Sequence, residues 1–134
     1  MRRVAGWTLV GFVIAITATL HAQPRKAPRA RTGTALHMQA TAYCLAGKTQ
    51  SGVSTRPGIV AADPDVIPVG SVVRIVDGGS SGIYTVLDTG PSVKGKKIDI
   101  FIPDCAKAKR FGARRVRVHV LRRGWEPTAT TEPQ

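Results

Sequence analysis

The residues best placed to do chemistry lie between Asp88 and Phe101, in Asp-Thr-Gly-Pro-Ser-Val-Lys-Gly-Lys-Lys-Ile-Asp-Ile-Phe. Asp88 follows Val86 and Leu87, and Asp99 follows Ile98, so both carboxylates fall inside strand-like patterns or at their ends. Burying an ionised carboxylate is costly unless it is paired or hydrogen-bonded, so an Asp among Val and Ile needs a reason. The intervening Thr89 to Lys97 carries two glycines, one proline and three lysines. That composition predicts a loop whose amide and ammonium groups face an anionic or polyhydroxyl ligand. Two plainer readings stand beside this one. Asp88 can open a turn by accepting from the amide two residues on. Asp99 alternates to the face opposite Ile98 and Ile100, and that face can simply be solvent.

The elements that must position these acids read as β. Thr34 to Cys44 contains an alternating piece, and Gly58 to Ala62, Ser71 to Val76 and Gly82 to Leu87 are β-branched runs bounded by Gly, Pro or Asp. Lys97 to Ile102 makes another strand. Pro103 to Gly112 reads as a short helix, with Pro103 at its start, alanines within, basic residues in the last turn and Gly112 as the stop. Arg115 to Val120 alternates strictly, directing Val116, Val118 and Val120 inward and Arg115, Arg117 and His119 outward. Several short strands with turn signals and one helix predict a compact all-β barrel.

The chain has 134 residues, one domain by length. Residues 1–22 read as a secretory signal peptide: Arg2 and Arg3, an apolar run, then small residues near Ala22. An uncleaved membrane anchor is the alternative, because Val4 to Leu20 is at the short end of what spans a bilayer and Leu20 fits a cleavage site poorly. Residues 23–37, with Pro24, Pro28 and a basic run, read as an extended linker. Residues 38–123 form the domain, and 124–134 a disordered Pro/Thr/Glu-rich tail.

Lys and Arg total 20 against 8 acids, a formal charge of +12. Export and the scarcity of aromatic residues argue against nucleic acid, leaving anionic envelope polymers as the partner of the basic surface. In an exported chain two cysteines, Cys44 and Cys105, form a structural disulfide by default, and closing a loop of roughly 60 residues contributes on the order of 4 kcal/mol. A catalytic thiol lacks a base, since His37 lies at the linker edge and His119 on an outward strand position. Without a nearby His pair the cysteines do not make a zinc site, and nothing in the sequence calls for a metal or organic cofactor.

Taken in order, Thr41-Ala-Tyr-Cys, Gly58-Ile-Val-Ala-Ala-Asp-Pro, Val66-Ile-Pro-Val-Gly, Asp88-Thr-Gly, Lys94-Gly and Ile98-Asp-Ile-Phe resemble the motif series of the 3D, or three-aspartate, domain. That domain is shared with the catalytic part of membrane-bound lytic transglycosylase A and with small secreted stationary-phase wall hydrolases. The resemblance spans about Gln39 to Leu121 and implies a six-stranded double-psi β-barrel. Its three acids match Asp63, Asp88 and Asp99; on sequence alone Asp63, before Pro64, would pass for a turn residue.

The resemblance further implies action on peptidoglycan glycan strands; the signal peptide directs the chain to the periplasm, cell envelope or extracellular space, and a monomer is expected. The implied reaction cleaves the β-1,4 bond from N-acetylmuramic acid to N-acetylglucosamine without water, giving 1,6-anhydro products. Asp99 would be the acid/base, Asp88 and Asp63 would support it, and Thr41, Tyr43 and Lys94 would line the groove. Cys105, just after the third-aspartate strand, would pair with Cys44. The family commonly reads Gly-Ala-Ile where Pro91, Ser92 and Val93 stand here, and Pro91 removes an amide that would face the sugar. The competing implication is a non-catalytic barrel of the rare-lipoprotein-A or expansin type, binding or loosening wall polysaccharide with the same acids as polar sugar contacts.

Overall fold

The computed structural model describes residues 31–77 and 81–125. The expected signal peptide, most of the expected linker and most of the expected tail lie outside them. Six strands and one helix follow in the order β1 (Ala35–Tyr43), β2 (Ile59–Ala62), β3 (Val72–Val76), β4 (Gly82–Asp88), β5 (Lys97–Phe101), α1 (Cys105–Phe111) and β6 (Arg114–Arg122). The strands close into a barrel in the spatial order β1-β5-β2-β4-β3-β6. The pairs β1/β5 and β2/β4 are parallel and the others antiparallel, an arrangement consistent with a double-psi β-barrel.

The period-2 pattern decides which side chains fill the interior. Met38 and Ala40 on β1, Val60 and Ala62 on β2, Val73 and Ile75 on β3, Ile98 and Ile100 on β5, and Val116, Val118 and Val120 on β6 form one buried core with Val86 of β4. Burying each larger aliphatic side chain stabilises the barrel by about 1.5 to 3 kcal/mol. Arg115 and Arg117 are exposed and His119 partly so, as the alternation of β6 requires.

β1 begins at Ala35, so Ala35, Leu36 and His37 belong to the barrel rather than to the linker that was expected to run to residue 37. They are held there by β6, with Ala35 opposite His119, Leu36 opposite Val118 and His37 opposite Arg117. The other end also stays engaged further than its composition implies. The Gly124 amide donates to Ser71 Oγ at 2.8 Å, and the Trp125 ring lies against Gly70, where a Cβ would stand 2.2 Å from it.

In α1 the N-cap is Asp104, one residue after Pro103, and its carboxylate accepts from the Lys107 amide at 3.0 Å. Lys109 and Arg110 occupy the last turn, and Gly112 ends the helix at φ 62°. The Cys44–Cys105 disulfide, with Cα atoms 5.1 Å apart, ties the residue after β1 to the first residue of α1.

Candidate functional site

Asp99 sits at the centre of β5, opposite Thr41 of β1 on one side and Ala61 of β2 on the other. Ala61 in turn lies opposite Asp88 of β4, where a register shift between Val60 and Ala61 brings the end of that strand into line. Thr41, Asp99, Ala61 and Asp88 therefore form one row across four strands. Asp99 and Asp88 are separated by two strand spacings, about 10 Å between backbones. The small Ala61 side chain is buried in the row between them.

The row sits on the outer surface, because Ile98 and Ile100 take the interior positions of β5. Asp99 is half-buried there. Thr41 Oγ1 donates to its Oδ1 at 2.8 Å. Burial raises the pKa of Asp99 above the ordinary carboxylate value; the Thr41 hydrogen bond opposes that shift and the nearby Asp88 charge adds to it. The Asp99 carboxyl is thus biased toward its protonated form.

Asp88 is held more firmly. Its Oδ1 accepts from the amides of Gln50 and Thr89, both at 2.9 Å, and its Oδ2 takes a long 3.4 Å contact from the Tyr43 hydroxyl. In place of the expected bond from the amide two residues on, Asp88 accepts from the very next amide and from Gln50, 38 positions away. Tyr43 stacks edge-on against Phe101, ring centroids 5.3 Å apart. Burial pushes its phenol up to about 12, with the Asp88 and Asp99 charges and the Asp88 hydrogen bond adding to the effect. Tyr43 is consequently a neutral donor facing two carboxyl groups.

Asp63 plays a different part. It is buried, its Oδ1 accepts from the Asp65 amide at 3.0 Å, and its Oδ2 accepts from the Gly95 amide at 2.6 Å. It anchors the loop that carries Lys94, pinning the residue next to it. Lys94 itself is exposed. The structure thus brings Thr41, Tyr43, Asp88 and Asp99 together, while Asp63, two residues past Ala61, holds the Gly95 amide of the loop that carries Lys94.

Beside Asp88 a cleft of about 360 Å³ is lined by Gln50, Ser51, Pro64, Pro68, Val69 and Trp125. Trp125 is 62 % exposed. By composition it belongs to the tail that begins at residue 124. An apolar residue next to a charged, Pro-rich end gives no local signal of packing, and the contact with Gly70 is 55 positions away. Among the described residues no group of three or more His, Cys, Asp or Glu is placed to hold a metal ion.

Residues 58–122 match the family model described as the 3D domain. The chain carries a 3D domain. The match contains Asp63, Asp88 and Asp99, whereas Thr41 and Tyr43 come from β1, upstream of it. The cell wall-binding protein YocH of Bacillus subtilis (strain 168) is 37% identical over 95 residues, covering 64% of this chain and 32% of that protein. The chain spans between 24% and 37% of the lengths of the curated relatives it matches. The Streptomyces papain inhibitor has the same fold, with a TM-score of 0.54 at 20% identity over 68% of this chain and 97% of that one. The lytic transglycosylase MltA of Escherichia coli aligns with a TM-score of 0.48 at 24% identity, over 59% of this chain and 28% of that one. Trp125 lies three residues past the matched 3D segment.

Proposed function

We propose that the 3D domain of this protein is a cell-wall lytic transglycosylase that cleaves peptidoglycan glycan strands with Asp99 as its single acid/base. The observation that carries this reading is the Asp99 carboxyl: half-buried on an outer face, oriented by Thr41, and biased toward protonation by burial and by Asp88. A carboxylic acid in that state protonates the glycosidic oxygen as the C1–O bond breaks. The resulting carboxylate then takes the proton from the muramic C6 hydroxyl as that oxygen bonds to C1. No water is consumed, and Asp99 ends as it began. Asp88 and the Tyr43 hydroxyl face the positive charge that develops on the ring, while the exposed Trp125 ring offers a flat apolar face for a neighbouring sugar. The disulfide fits an exported, oxidising setting.

A second reading is a wall-binding module without catalysis. It is favoured by the likeness to YocH, a cell wall-binding protein, and by the way Asp63 and Asp88 are occupied by backbone amides, as loop fastenings would be. One experiment separates the two. Oxidised full-length protein is incubated with purified peptidoglycan, and the products are weighed by mass spectrometry. Transglycosylation predicts muropeptides one water lighter than hydrolysis products. Asp99→Asn should then lower turnover by a factor of about 10² to 10⁴ while sedimentation with the wall is nearly unchanged. No anhydro product from the wild type, with equal losses of wall affinity on changing Asp63, Asp88 or Asp99, would establish the binding module instead.

A further inference from the structure

A second cleft, of about 480 Å³, lies further along β1 and is lined by His37, Met38, Gln39, Lys96, Ala113, Arg114 and Arg115. Its lining contains no acid. Gln39 stands at its centre: opposite Arg115 on β6 and Lys97 on β5, with its amide donating to the Lys96 carbonyl at 2.9 Å, which holds Lys96 against the strand. His37 lies opposite Arg117, one row away. Arg114 is committed elsewhere. Its guanidinium donates to the Phe111 carbonyl, lies 4.1 Å over the Phe111 ring and pairs with Asp77 at 3.3 Å. Lys96 and Arg115 are exposed and supply the cleft's charge.

This cleft and the carboxylate row share one strand face. His37, Gln39, Thr41 and Tyr43 alternate with the buried Met38 and Ala40, so all four project outward from β1 in a single file. At about 6.6 to 6.8 Å per pair of residues, Gln39 is one step and His37 two steps from the Thr41–Asp99 row, roughly 7 to 13 Å. That span equals the extended length of about two to four amino-acid residues.

We infer that the His37–Gln39–Lys96–Arg115 cleft binds an oxyanion carried by the wall polymer whose glycan backbone lies over Asp99. The inference rests on the reading of the carboxylate groove as a glycan site and extends it to a substrate class: glycan bearing acidic substituents within a short peptide's reach. Carboxylates of peptides attached to the glycan satisfy this, and so do phosphodiesters of polymers linked to it. Arg115 supplies a planar fork for either, and Lys96 a mobile point charge.

The test measures binding, not turnover, using oxidised full-length Asp99→Asn protein, so that it does not depend on catalysis. Three wall preparations are fixed to beads and probed with it: intact sacculi, sacculi freed of phosphodiester polymers, and the glycan strands of the latter stripped of peptide, with the muramyl carboxylates that this frees capped as amides. We expect affinity for the peptide-free glycan to be weaker by about fivefold or more than for at least one anion-bearing preparation, the factor of a single partly desolvated charge contact. The step at which the preference disappears identifies the anion. K96Q/R115Q should abolish the preference, Arg115→Lys should restore only part of it, and K109Q/R122Q, which removes equal charge elsewhere on the surface, should retain it. Glycan binding without any preference overturns this inference alone. Equal loss in both double variants also overturns it, by reducing the effect to the protein's general field. Failure to bind any of the three preparations overturns both this inference and the glycan reading of the groove.

Discussion

Asp99 is a carboxyl group with two opposing neighbours, and this makes its role testable residue by residue. Asp88 raises its pKa through charge, and Thr41 lowers it through a hydrogen bond. Asp88→Asn should therefore move the Asp99 titration to lower pH, and Thr41→Val should move it to higher pH. Carbon-13 detection of the side-chain carboxyls would show both, and the limb of the pH–rate profile on which activity falls with rising pH should follow in the same directions. Shifts of the same sign in both variants would mean that Asp99 does not sit between them as described. A stability consequence follows from the raised value. The unfolded carboxyl ionises near pH 3.9, below the folded one, so folding is progressively disfavoured as pH rises through that interval. Asp99→Asn, uncharged throughout, should accordingly melt at a higher temperature than the wild type above the interval and show no such gain below it.

At the scale of elements, the loop between β4 and β5 is shaped by a residue outside it. Asp63 holds the Gly95 amide, and Gly95 has φ of 65°. A side chain added at Gly95 would meet nothing within 4 Å, so Gly95→Ala carries only the backbone penalty of that conformation, about 1 kcal/mol. Asp63→Ala strips two amides of a charged acceptor and should cost about 2 to 3 kcal/mol. Hydrogen exchange at Gly95 should rise much more in Asp63→Ala than at the buried amides of β6. If Gly95 exchanges no faster, Asp63 is not the fastening, and a direct part for it in the groove becomes the better account.

For the molecule as a whole, a small barrel gains from its covalent closure. The disulfide spans 61 positions and links the end of β1, which presents Thr41 and Tyr43, to α1. Replacing both cysteines by Ala should lower unfolding free energy by on the order of 4 kcal/mol, measured by urea titration against the oxidised wild type. The same molecule sets acids and bases on neighbouring strands. β4 and β5 carry one acid each, Asp88 and Asp99, while Arg115, Arg117 and Arg74 stand on the outer faces of β6 and β3, with Arg74 opposite His119. That arrangement places a half-buried carboxyl within reach of exposed cations.

The sequence by itself determined what is local. Alternation placed Val116, Val118 and Val120 inside and the arginines of β6 outside, and the Ala-rich, Gly-terminated run after Pro103 was legible as a helix. Such patterns depend on neighbours within a few positions, and the motif series from Thr41 to Phe101 carries the likeness to the 3D domain. Tertiary structure decided which distant residues share a face. Nothing near Asp88 or Asp99 states that Ala61 lies between them, because strand register joins segments tens of residues apart. The burial of Asp63, the recruitment of Ala35 to His37 into β1, and the seat of Trp125 on Gly70 also depend on partners far along the chain. A carboxylate's role here is set by who donates to it and how much water reaches it, and both are properties of the closed barrel, not of the residues beside it in sequence.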